Sequence, residues 1–124
     1  MRGVLRVGIA SYGEMKARTL AIARGEYRPA ANKPKVWFRS AESFARLLSE
    51  KNRDLLHLIA EESPCSLADL AGRSGRTKSN LSRTLKTMAR YGFVVLKRGP
   101  RGTVRAQVPY QAISLVLPLG RGAS

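Results

Sequence analysis

The sequence predicts an α+β chain in which a small group of helices is followed by a β-hairpin. Three observations predict it. Apolar residues recur at helical spacing between Phe44 and Tyr91. After Gly92 the pattern changes to β-branched and aromatic runs, FVVLKRG (93–99) and TVRAQVPY (103–110). Between those runs stands Gly-Pro-Arg-Gly, residues 99–102, which is hairpin-turn chemistry.

Taken in order, VLRVGI (4–9) reads as a short strand and SYGEMKARTLAIAR (11–24) as a helix. GEYRPAANKP (25–34), with a Gly and two Pro, reads as a linker, and KVWF (35–38) as a second short strand. Ser40 is an N-cap candidate, with Glu42 in the first turn where the helix dipole favours an anion. The stripe Phe44, Leu47, Leu48, then Leu55, Leu56, Leu58, Ile59 breaks at Lys51 and Asn52. Two helices are therefore expected, 41–48 and 50–62, the second capped by Ser49. Ser66-Leu-Ala-Asp69 is a capping pattern that starts a short helix, and Gly72 and Gly75 are expected to bracket a tight turn after it. Thr77 is the N-cap candidate of the next helix and Gly92 its left-handed C-terminal cap. A last strand is expected over AISLVL (112–117), alternating Ile113, Leu115 and Leu117.

Charge is distributed unevenly. The chain has 124 residues and a formal net charge of +15. All eight acidic residues lie between Glu14 and Asp69, and from Leu70 onward there are eleven Lys and Arg with no Asp or Glu. Charge of one sign repels itself unless a polyanion relieves it. With one cysteine, Cys65, and one histidine, His57, neither an intrachain disulfide nor a cysteine-based zinc site is expected. No apolar run has the length of a membrane span and no signal-peptide pattern opens the chain, so the cytoplasm is the expected compartment.

On a helical wheel, Leu81, Thr84, Leu85, Met88 and Tyr91 share one side of the helix at 77–91, and Ser79, Arg83, Lys86 and Arg90 the other. The order of helix, helix, short helix, turn, basic helix and basic hairpin is that of a winged helix-turn-helix. That fold has a three- or four-helix core and a β-hairpin wing, here over 94–108, with a strand–helix arm in front. Ala71, Gly75 and Leu81 fit the turn: a small residue lets the helices approach, Gly makes the turn and Leu anchors the second helix. The segments expected are an arm (1–35) for dimerisation or partner binding, a winged domain (36–118) and a tail (119–124).

The stretch from Val36 to Tyr110 resembles the MarR-like winged helix-turn-helix regulators of bacteria and archaea. More narrowly, VWFRSAESFARLLSEKNRDLL, SLADLAGRSGRTKSNLSRTLKTMARYGFV and VPYQAISLVLPL are similar to a small family of DNA-binding regulators, as is KARTLAIARGEYRP in the arm. Members of that family are often encoded beside a toxin gene as the antitoxin. The resemblance implies a repressor, with a toxin protein as candidate partner. One departure is the lack of acidic residues in the wing and last strand, as in LVLPL at 115–119.

In such a fold the N-terminal part of the recognition helix meets base edges. Lys78, Ser79, Asn80, Ser82 and Arg83 are the candidates, with Asn80 suited to adenine and Arg83 to guanine. Lys86 and Arg90 are expected at phosphates, as are Arg76 and Thr77 at the helix start. Lys97, Arg98, Arg101 and Arg105 would carry the wing. Double-stranded DNA is the expected partner, read by a homodimer in which VLRVGI pairs against AISLVL. A basic chain with a hairpin could also bind RNA, or bind nucleic acid architecturally and without regard to sequence. No catalytic constellation, metal site or cofactor motif is present, so no enzyme is expected. Trp37 and Phe38 are read as core or interface anchors.

Overall fold

A computed structural model describes residues 3–10, 23, 25 and 34–117. The helix expected over 11–24 apart from residue 23, most of the linker and the tail at 119–124 lie outside them. The elements described end to end make a small α+β fold of four helices and two small sheets. They are β1 (Val4–Ile9), β2 (Val36–Phe38), α1 (Ala41–Leu47), α2 (Glu50–Glu62), α3 (Leu67–Ser74), α4 (Lys78–Arg90), β3 (Val95–Arg98), β4 (Val104–Gln107) and β5 (Ala112–Val116). Among the described residues no helix is long and apolar enough to cross a membrane.

These elements fall into two compact units. One runs from Leu47 to Gln111; the other takes in β1, β2, α1 up to Arg46, and β5. The boundaries differ from the segments read from the sequence because β2, α1 and β5 join the unit that holds β1.

In that unit β1 is the central strand of a parallel sheet ordered β2-β1-β5. Val7 registers with Val36 on one side, and Val4 through Gly8 register with Ala112 through Val116 on the other. The pairing of VLRVGI with AISLVL is thus made within one chain, which corrects its expected place across a dimer. Parallel strands require long crossovers, and both connections here are long enough. Leu5 and Val7 of β1 and Phe38 of β2 are buried, and the Phe38 ring meets Phe44 of α1 edge-on at 5.3 Å. Gly8 is registered with Trp37, and a Cβ there would fall 2.5 Å from the indole ring, so this position admits only glycine while Trp37 lies over it. On β5 the expected apolar alternation is not buried: Leu115 is 42% exposed, and Leu117 just beyond the strand is 51% exposed.

The Leu47–Gln111 unit is built from capped helices around one core. Ser49 Oγ accepts from Asn52 N, Ser66 Oγ from Asp69 N and Thr77 Oγ1 from Asn80 N, each satisfying an N–H that the helix itself leaves unpaired. At the end of α4, Phe93 N donates to Met88 O and Gly92 N to Ala89 O, with Gly92 at φ +85°. This is a Schellman arrangement, in which a residue without Cβ takes the left-handed position. Gly75, at φ +75°, ends α3 in the same conformation. Gly72 does not bracket a turn; α3 runs through it to Ser74. Leu55, Ile59, Leu70, Leu81, Leu85, Met88, Phe93 and Val94 form the buried centre.

At the start of α3 the Asp69 carboxylate accepts from Arg73 Nε at 2.8 Å and from Cys65 N at 2.9 Å, and Arg73 reaches Glu62 of α2 at 2.7 Å. The Arg73 hydrogen bond, then that from Cys65, holds the Asp69 carboxyl below its ordinary value. A carboxyl depressed in the folded state stabilises the fold above its unfolded pKa, about 4, and loses that contribution as pH falls through the folded value. Exposure keeps the effect small. Asp69→Asn should lower the melting temperature near neutrality and flatten its decline below about pH 4, which melts across that range would check.

Candidate nucleic-acid interface

Helix α4 carries most of the candidate residues, and its two faces are unlike. Leu81, Leu85 and Met88 are fully buried, at 0–1% exposure. Lys78, Ser79, Asn80, Arg83, Lys86 and Arg90 are exposed, and Ser82 is half-buried. The apolar repeat at three and four residues sets this orientation, since turning the helix would exchange leucines for lysines in the core. None of the basic side chains on the outer face makes an ion pair among the described residues; the ion pairs found there are those of Arg73 with Glu62 and Asp69.

Strands β3 and β4 form an antiparallel hairpin registered from Val95–Gln107 to Arg98–Val104. Pro100 to Thr103 close it with Thr103 N donating to Pro100 O at 3.2 Å, Arg101 at φ +59° and Gly102 at φ +73°. Two successive positive φ values make this the type I′ class, whose twist matches the flanking strands and which prefers Asn-Gly. Arg101 therefore stands where a residue with a Cβ is disfavoured and Asn is tolerated better than most. Arg101→Asn should raise the unfolding free energy by up to about 1 kcal/mol. The same change should reduce the salt dependence of nucleic-acid binding by about one ion. Thermal melts and a salt titration read the two effects separately, and their opposite directions are the expected signature.

The hairpin cations do not share one surface. Leu96, Arg98 and Val104 lie on one face, and with Leu67, Ser82, Leu85 and Lys86 they line a groove of about 250 Å³. Lys86 of α4 and Arg98 of β3 are the two cations in its lining. Lys97 and Arg105 are directly opposed across the strands, on the other face. Like charges so placed destabilise a hairpin by about 0.2–1 kcal/mol, a cost that a bound anion would relieve.

Arg76 is the residue whose placement differs most from expectation. Its guanidinium turns onto the protein: Nη2 donates to Lys51 O and Asn52 Oδ1, each at 3.0 Å, and Nη1 to Asn80 Oδ1 at 3.3 Å. Asn52, which interrupts the apolar stripe, donates from Nδ2 to Leu47 O at 2.8 Å. Thr77 is engaged as the cap of α4. Among the described residues no group of three or more His, Cys, Asp and Glu could hold a metal ion.

The model of the HVO_A0114 family matches residues 47–115, more than half of the chain, and the chain belongs to that family. The matched stretch takes in the whole Leu47–Gln111 unit and most of β5. No curated protein matches the chain.

Proposed function

We propose that this protein is a sequence-specific, double-stranded DNA-binding regulator of the winged helix-turn-helix type. In this reading α3 and α4 are the helix-turn-helix pair and the β3–β4 hairpin is the wing. The observation that carries it is the outer face of α4: exposed Lys78, Ser79, Asn80, Arg83, Lys86 and Arg90, with no acid among them and no ion pair among the described residues. Such a face suits a groove walled by phosphates and floored by hydrogen-bonding base edges. Lys78, Ser79, Asn80, Ser82 and Arg83 would meet bases; Lys86, Arg90 and the hairpin cations would meet phosphates. Because one recognition helix spans few base pairs, the regulator would act as a homodimer on half-sites roughly 34 Å apart. Repression is the proposed outcome, with a toxin protein as the candidate partner of the N-terminal arm.

The test is binding to duplex from the chain's own upstream region against a shuffled duplex, at several salt concentrations. The reading expects a preference of about 10³ or more at physiological salt and a steep salt slope. Near-equal affinities would replace it with sequence-indifferent nucleic-acid binding, RNA included.

A further inference from the structure

The contacts of Arg76 decide which end of the Asn80 amide faces outward. A guanidinium has donors and no acceptor, so the amide atom it meets at 3.3 Å must be the carbonyl oxygen. Asn52 is fixed by the same logic at both ends: its oxygen receives Arg76 and its NH₂ is given to Leu47 O. Arg76 is therefore held on three protein oxygens, from Lys51, Asn52 and Asn80, that belong to the starts of α2 and α4. The Asn80 backbone is fixed as well, because its N–H caps onto Thr77. With its oxygen turned to Arg76, the exposed Asn80 side chain offers its NH₂ outward.

That orientation changes what Asn80 can read. Adenine presents an acceptor, N7, beside a donor, N6–H₂, so pairing with it takes both ends of an amide. Here the adenine amino group would have to share Oδ1 with a cationic donor already in place. Guanine presents two acceptors, N7 and O6, which match an outward NH₂. We propose that Arg76 is a positioning residue that turns the Asn80 amide so that Asn80 selects guanine and rejects adenine. The inference rests on the regulator reading given above, and it replaces both the adenine contact expected of Asn80 and the phosphate contact expected of Arg76.

Selection of preferred duplexes from a randomised pool tests it, using the full chain and the variants Asn80→Ala, Arg76→Ala and Asn80→Asp, each checked for folding by its melt. Asn80→Ala identifies the base position that Asn80 reads. At that position the unaltered protein should favour guanine over adenine by about tenfold or more. Arg76→Ala frees the amide to turn, so adenine should gain about tenfold there while other positions keep their order. Asn80→Asp retains an oxygen for Arg76 and lacks the NH₂. It should melt no lower than the parent, lose the guanine preference and turn toward cytosine, whose N4 is a donor. If Arg76→Ala does not fold, Arg76→Met, which keeps the length of the side chain and has no donor, takes its place. Adenine preferred by the unaltered protein at this position, or a base order unmoved by removal of the Arg76 guanidinium, overturns the inference and leaves the regulator reading standing. A pool with no preferred duplex removes both.

Discussion

Leu81→Ala is expected to lower the unfolding free energy by about 2–5 kcal/mol. Leu81 is fully buried in the Leu47–Gln111 unit, on the inner face of α4 and three residues after its first residue. Truncation removes its transfer free energy and leaves a cavity that neighbours fill only in part. Denaturant melts would measure the loss. Leu58, half-buried on α2, provides the comparison and should cost less on the same truncation. A loss below about 1 kcal/mol at Leu81 would mean that the inner face of α4 is not packed as described.

Arg83→Ala should do the reverse, leaving stability unchanged and weakening binding to the preferred duplex by about 1–3 kcal/mol. Its side chain is exposed and forms no ion pair among the described residues; its backbone oxygen, which accepts from Thr87 Oγ1, is unaffected by the substitution. If Arg83 reads guanine O6 and N7, the loss is confined to duplexes that carry that base, and preference relaxes at one position. A uniform loss on every duplex would instead make Arg83 a phosphate contact. Together the two substitutions separate the faces of one helix: Leu81 bears on folding and Arg83 on recognition.

What could be read from the sequence was what is local. Ser49, Ser66 and Thr77 each stand three residues before the N–H they cap, and Gly75 and Gly92 sit where left-handed backbone ends a helix. Those features depend on a few neighbouring residues, so spacing exposes them. The two faces of α4 were legible for the same reason. The Arg76 contacts were not, because Lys51 and Asn52 lie 25 and 24 residues away and no periodicity links them. Asn52 read only as a gap in a stripe. Nor could the pairing of β1 with β5 be placed within the chain, since alternation marks a strand without naming its partner. At Arg101 composition announced a turn, but Gly-Pro-Arg-Gly does not say which residue takes positive φ.

The parallel sheet has a consequence for the order of events as the chain is made. Val4 finds its partner at Ala112, so β1 leaves the ribosome long before β5 exists. Everything from Leu47 to Gln111 emerges in between, at about 5–20 residues per second, and can fold as a unit while β1 still lacks one neighbour. The unit that holds β1 is closed last, by the strand that follows Gln111 in the chain. A nascent chain arrested after Gln111 would carry a finished helical unit and an open strand edge on β1, a state prone to pairing with other chains.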